Sequence, residues 1–217
     1  MRSFKLLFLV LAGLCLSSTL LVAAPLYTVD SHAGPWDQSL NPSFDYGVHD
    51  NNGPTYVNHG NSGLNFNSGD VLTITYISGL TSAFGGIPTI DANGYVGGLF
   101  GCGPGLSGFG SSGTAFPCVY TDLTQNTWLI ELMGVFTDSS GVIVGSPFTI
   151  GNGPLMISVP SGATQLALGV TDDIYGDNTG ALVVDVSGPS SVPEPTTLLM
   201  LGSGIASLAG FRLRRKS

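Results

Sequence analysis

Apolar and polar residues alternate through VLTITYI (71–77), directly after the turn-forming trio Ser68, Gly69 and Asp70, and this period of two predicts a half-buried strand. Further strands are predicted at WLIELMGVF (128–136), GVIVG (141–145), PFTI (147–150), LMISV (155–159), TQLALGV (164–170) and ALVVDV (181–186). The last of these are separated by GNGP, PSG and DDIYGDNTG, rich in the residues that turns require. Short strands at such spacing predict an all-β chain folded as a β-sandwich. No stretch sustains the 3.6-residue period of a long amphipathic helix, and no internal repeat is evident. A chain of 217 residues, 43% hydrophobic, can bury one sizeable core, and its 32 Gly and 13 Pro call for many turns and few helices.

The two ends break this pattern. Arg2 and Lys5 precede the apolar run LLFLVLAGLCLSSTLLV and the small pair Ala23 and Ala24, the order of parts in a secretory signal peptide, so residues 1–24 are predicted to be an export signal of helical form. A lipoprotein reading of Cys15 is disfavoured because Leu14, rather than a small residue, precedes it. At the far end Val192, Pro193, Glu194 and Pro195 lead into a mostly apolar stretch (198–211), which closes on Arg212, Arg214 and Arg215. Read physically, this is a short transmembrane helix stopped by positive charge. The three parts in this order resemble the PEP-CTERM sorting signal, which an exosortase handles in bacteria with exopolysaccharide systems. The resemblance implies export to a cell surface, outer membrane or extracellular matrix, with initial membrane attachment through the C-terminal helix. Residues 25–191 are then one working domain and residues 192–217 the sorting signal.

Charge sharpens the picture of that domain. All six Lys and Arg sit at the extreme ends, and the span between Leu6 and Phe211 holds all 14 acidic residues with no basic partner except His. Such a span repels nucleic acid and favours bound cations. Outside the signal segments there are two cysteines, Cys102 and Cys118, bracketing the Gly- and Ser-rich GPGLSGFGSSGTAFP. In an oxidising compartment they are expected to form one disulfide, with a metal site as the weaker alternative. The three histidines, His32, His49 and His59, lie among Gly and Pro in the first third of the domain at spacings that match no closed metal site, and are expected to be loop residues.

DDIYGDNTG (172–180) concentrates oxygen atoms in a chain with few charges. A hard cation such as calcium takes six to eight oxygens from carboxylates, amides and backbone carbonyls and tolerates flexible loops. Asp172, Asp173, Asp177 and Asn178 offer such atoms, although the order is not that of an EF-hand, and a solvated turn between two strands is the competing reading.

From SGDVLTI, and then from ELMGVF through DDIYGDNTGALVVDV, the sequence resembles the PA-IL family of calcium-dependent, galactose-binding lectins. The resemblance implies a small jelly-roll sandwich. It implies calcium held by Asp172 (or Asp173 in its place), by Asp177 and Asn178, and by the backbone carbonyls of Ile174 and Phe84. It also implies a galactose-like glycan or polysaccharide completing the metal shell, with Asp172 and Asp177 accepting hydrogen bonds from its hydroxyls. The family's other sugar contacts have no counterpart in the Gly-rich insertion. Asp91, Asn93 and Asn126 are candidates to line a pocket there, and Tyr95 or Trp128 to stack on a sugar face.

No nucleophile elbow, HExxH pair or phosphate-binding loop is present, and the one mid-chain Glu, Glu131, sits in an apolar run. A non-catalytic protein is expected. Two functions fit: carbohydrate binding through calcium, or a structural surface or biofilm-matrix role in which calcium stiffens the sandwich.

Overall fold

The computed structural model describes residues 25–57 and 64–188. The predicted signal helix, the short transmembrane helix with its Pro-Glu-Pro and Arg motifs, and His59 lie outside these residues. Ten strands are formed: β1 (Leu26–Asp30), β2 (Thr55–Val57), β3 (Val71–Ser82), β4 (Gly101–Cys102), β5 (Thr127–Trp128), β6 (Leu132–Thr137), β7 (Phe148–Thr149), β8 (Leu155–Ser158), β9 (Gln165–Val170) and β10 (Thr179–Ser187). One short 3-10 turn, Pro117–Tyr120, is the only helical element among the described residues, none of which forms a helix long and apolar enough to cross a membrane.

Two four-stranded antiparallel sheets carry the fold, in the orders β1-β10-β3-β8 and β2-β9-β6-β7, with β4 and β5 as a small separate pair. Alternation decides the first sheet. In β10 the positions Leu182, Val184 and Val186 are buried while their neighbours are half-exposed, and Leu72 and Ile74 of β3 and Tyr27 and Val29 of β1 join them in one apolar core. The second sheet reads differently because β6 and β9 are buried at every position. Their outer side is covered by the chain itself: a Cβ at Gly169 of β9 would overlap the backbone of Gly34 and Pro35, and Trp36 and Tyr46 are fully enclosed beside it. Strands covered on both faces are apolar without alternation, which is why LMGVF and LALGV carry so few polar residues.

Several predicted strands changed form. The run 128–136 is broken in two, since Ile130 takes a left-handed φ of 60° and separates β5 from β6. The stretch 141–145 is no strand, and pairs only through an isolated bridge between Ile143 and Thr137. Strands β1 and β2, where no strand is predicted from the sequence, pair with the edges of β10 and β9. β3 runs five residues past the predicted end, through a register shift opposite Val183 and Val184. There Gly79 holds a φ of 93° and lets the Ala181 carbonyl approach where a Cβ would stand.

Pairing places the aspartate loop. Thr179 of β10 faces Ser82 of β3, and Ser187 faces Thr73, so the loop before β10 and the turn after β3 share one pole of the sandwich. The C-terminal segment leaves from the other.

Truncating Leu168, fully buried in the centre of β9, is expected to cost about 2–5 kcal/mol. Urea unfolding of Leu168→Ala against wild type checks this, with the midpoint falling and the slope unchanged.

Candidate functional site

The loop begins where β9 ends. Thr171 exchanges backbone hydrogen bonds with the left-handed turn at Ile130 and Glu131: Ile130 donates to the Thr171 carbonyl at 2.6 Å and Thr171 donates to the Glu131 carbonyl at 3.0 Å. Asp172 follows, and its Oδ1 accepts from the amides of Asp173 at 2.7 Å and Ile174 at 3.2 Å, folding the chain into a tight Asx turn. Tyr175 buries its ring beneath the loop and donates its hydroxyl to the Val170 carbonyl at 2.8 Å. Asn178 closes the curve by donating its backbone amide to the Tyr175 carbonyl and its Nδ2 to the Ser31 carbonyl at 2.8 Å.

Three distant segments are tied onto this loop. Asp50 accepts from the amides of Tyr175 at 2.9 Å and Gly176 at 2.7 Å, one on each carboxylate oxygen, while Val48 donates to the Asp173 carbonyl at 2.9 Å. Gly85 donates to the Asp177 carbonyl at 2.6 Å, which brings the turn containing Phe84 alongside. Ser112, from the Gly-rich insertion, donates both its amide at 2.8 Å and its hydroxyl at 2.5 Å to Asp173 Oδ2. That insertion is closed at its base by a disulfide between Cys102 and Cys118, both buried, with Cα atoms 5.8 Å apart.

Between these segments lies a small cavity of about 20 Å³, lined by Phe84, Ser111, Asp172, Asp173, Ile174 and Asp177 among others. Asp172 is 2% exposed, and its Oδ2 has no hydrogen-bond partner. The Oδ1 of buried Asn178 is likewise unpartnered. Burial pushes the Asp172 carboxyl up to about 8, against the lowering pull of the Ile174 amide, the Asn178 side chain and the Asp173 amide. Burial also raises the more exposed Asp177. While Asp172 holds its proton it carries an O–H that can serve one of these atoms; once it ionises, both are buried acceptors without a donor, a costly arrangement.

The structure thus brings Phe84, Asp172, Ile174 and Asp177 to one cavity, with Asn178 in the same loop. Asp173 lines the same cavity, but its Oδ2 is taken by the amide and hydroxyl of Ser112. Among the described residues no three His, Cys, Asp or Glu side chains gather closely enough to make a metal cluster. Of the residues expected to line a sugar pocket, Asp91 and Asn93 are bound to Asn152 in a turn, through Asp91 Oδ2 to its side chain and Asn93 Oδ1 to its amide. Tyr95 instead packs against Phe84, ring centroids 5.5 Å apart, and Phe84 is 60% exposed at the rim. Trp128 sits half-buried in β5, and Asn126 lies against Gly103 at the base of the insertion. His32 and His49 pair with Asp30 and Asp45 near the surface. Asp50 and Ser112 carry no sequence signal for this role beyond being polar residues in turns.

Glu131 is buried, 9% exposed, and accepts the Trp128 amide on Oε2 at 2.7 Å. Burial pushes its carboxyl up to about 7, the Trp128 amide offsetting part of the rise. Both Glu131 and Asp172 therefore keep protons in the native state that the unfolded chain has released. Their contribution to stability is full below the ordinary carboxylate range and is lost as pH rises through about 7 for Glu131 and about 8 for Asp172. In chelator, stability is expected to fall between pH 5 and 8 by an amount on the order of 1–3 kcal/mol per group, and Glu131→Gln together with Asp172→Asn should flatten the profile. Urea titrations at several pH values check it.

The chain has no match among curated proteins. Residues 191–216 match a family model, the PEP-CTERM protein-sorting motif. This motif is recognised by exosortase, and it marks the chain as an exported protein sorted to the cell surface.

Proposed function

We propose that this surface-sorted protein is a non-catalytic module whose aspartate loop binds calcium, and that the ion's first role is to lock the exposed pole of the sandwich. The observation that carries the reading is the pair of buried, unpartnered oxygens, Asp172 Oδ2 and Asn178 Oδ1, in a loop that also presents Asp177 to the cavity. Calcium takes a large part of its shell from amide and carbonyl oxygens, so a site of this kind needs only one or two carboxylates, with the backbone carbonyls of Ile174 and Phe84 close by. The cavity has room for one water-sized occupant, which suits an ion. The two strand orders, read without the small β4-β5 pair, are those of a jelly roll, in keeping with the fold implied by the lectin resemblance.

Carbohydrate binding is the second reading, favoured by Phe84. An aromatic ring largely exposed at the rim of the cavity and backed by Tyr95 is a platform on which the apolar face of a pyranose can rest, with hydroxyls directed at the ion. The ligand on this reading is an exopolysaccharide or a galactose-like surface glycan.

Thermal melts in chelator, in calcium, and in calcium with galactose and a panel of other sugars separate the readings. A ligand at a hundredfold excess over its dissociation constant adds about 2.7 kcal/mol of stability. A rise in midpoint with calcium, absent in Asp172→Asn and Asp177→Ala, is expected. A further rise with sugar, lost in Phe84→Ala, establishes the glycan reading, whereas no response to calcium removes both.

A further inference from the structure

We propose that the disulfide-closed Gly-rich insertion is a gate over the aspartate-loop cavity, and that Asp173 is its latch rather than a metal ligand. The inference rests on the calcium reading for its consequence and on the structure's own contacts for its geometry.

The insertion has a tip and a base. At the tip, residues 110–114 form a tight turn in which Gly113 donates to the Gly110 carbonyl, Gly110 donates to the Thr114 carbonyl, and the Ser112 and Thr114 hydroxyls lie 2.6 Å apart. At the base, the pairing of Gly108 with Gly101 and of Phe116 with Gly108 leads down to the Cys102–Cys118 bridge, where β4 pairs with β5. Apolar anchoring is concentrated at the base, where Phe116, Cys102 and Cys118 are enclosed, while Ser111, Ser112 and Gly113 of the tip are exposed.

The tip is held down chiefly by one residue. Ser112 gives Asp173 Oδ2 two hydrogen bonds, and Gly110 lies so close that a Cβ there would overlap the Asp173 carboxylate. A second tie, from the Gly47 amide to the Ala115 carbonyl at 2.9 Å, holds the flank of the tip. Held in this way, Ser111 forms part of the cavity wall. Charge-assisted hydrogen bonds to a carboxylate are among the stronger contacts a loop can make, yet two of them on an exposed tip can open locally without disturbing the core. An ion bound at Asp172 and Asp177 leaves slowly while the latch is shut and quickly when it opens. The same closed tip places Ser111 on the cavity wall, so displacing the gate widens the opening beside the ion.

The test is the rate at which calcium leaves the full chain, measured by stopped flow against a fluorescent chelator. Ser112→Ala, which keeps the backbone bond, and Gly110→Ala, which forces the tip off Asp173, should each speed release by about tenfold or more, and the paired Cys102→Ser and Cys118→Ser variant should do the same. Hydrogen exchange at the Ser112 amide, which donates to Asp173 Oδ2, supplies a readout that needs no ion. Faster exchange there in Gly110→Ala, with core strands still protected, is expected whether or not calcium is present. If wild type binds calcium and both the release rate and the exchange are unchanged in Ser112→Ala and Gly110→Ala, the gate is overturned while the calcium reading stands. If wild type binds no calcium but the exchange rises in Gly110→Ala, the calcium reading fails and the insertion is a cover for a dry aspartate loop. That result removes the proposed role in ion retention.

Discussion

Asp172 and Asp173 are buried side by side in an antiparallel sandwich that has no Lys or Arg among its described residues to pair with them. Everything at that pole is arranged around this constraint. Burying a carboxylate is tolerable when hydrogen bonds or a cation satisfy it, and otherwise the group keeps its proton. The two residues meet the demand differently. Asp173 is satisfied from outside, by the amide and hydroxyl of Ser112. Asp172 is satisfied on one oxygen by its own loop and on the other by nothing in the protein.

That asymmetry gives the two residues of one dipeptide different surroundings. Asp173, together with Asp50, turns the loop into a hub: segments around residues 48–50, 85 and 112 all end on it, though they are separated in sequence by dozens of residues. Such hydrogen bonds are worth little individually in water but more when shielded, and they set the shape of an otherwise Gly-rich pole. Asp172, by contrast, keeps one oxygen without a hydrogen-bond partner beside the small cavity. Its position one residue after the Thr171–Glu131 backbone pairing means the site is fixed to the core of the second sheet rather than carried on a free loop.

The pole also lies opposite the end from which the chain leaves toward its sorting motif. β10 joins the two: it starts at Thr179, against the aspartate loop, and ends at Ser187, a few residues before the motif at 191–216. Nine residues of strand span roughly 30 Å. The aspartate loop and the approach to the sorting motif thus lie at opposite ends of a single strand.

Alternation in VLTITYI and the apolar runs of β6, β9 and β10 determined an all-β sandwich, because the period of two and the spacing of turns are local properties that tertiary contacts rarely overrule when the core is made of these residues. The order of Pro-Glu-Pro, apolar stretch and Arg cluster determined the sorting motif for the same reason: its recognition elements are contiguous. The concentration of oxygens in DDIYGDNTG marked the candidate loop. What the linear pattern left open was decided by packing. The break at Ile130 follows from fitting a turn between β5 and β6 beside Thr171. The loss of a strand at 141–145 follows from its having no edge to pair with beyond one bridge. The division of labour between Asp172 and Asp173 rests on Ser112, 61 residues before the Asp173 it bonds, and the anchoring of the loop on Asp50, more than 120 residues earlier. Those partners are polar residues in turns, indistinguishable in sequence from any others, and only the closure of the sandwich brings them within hydrogen-bonding distance.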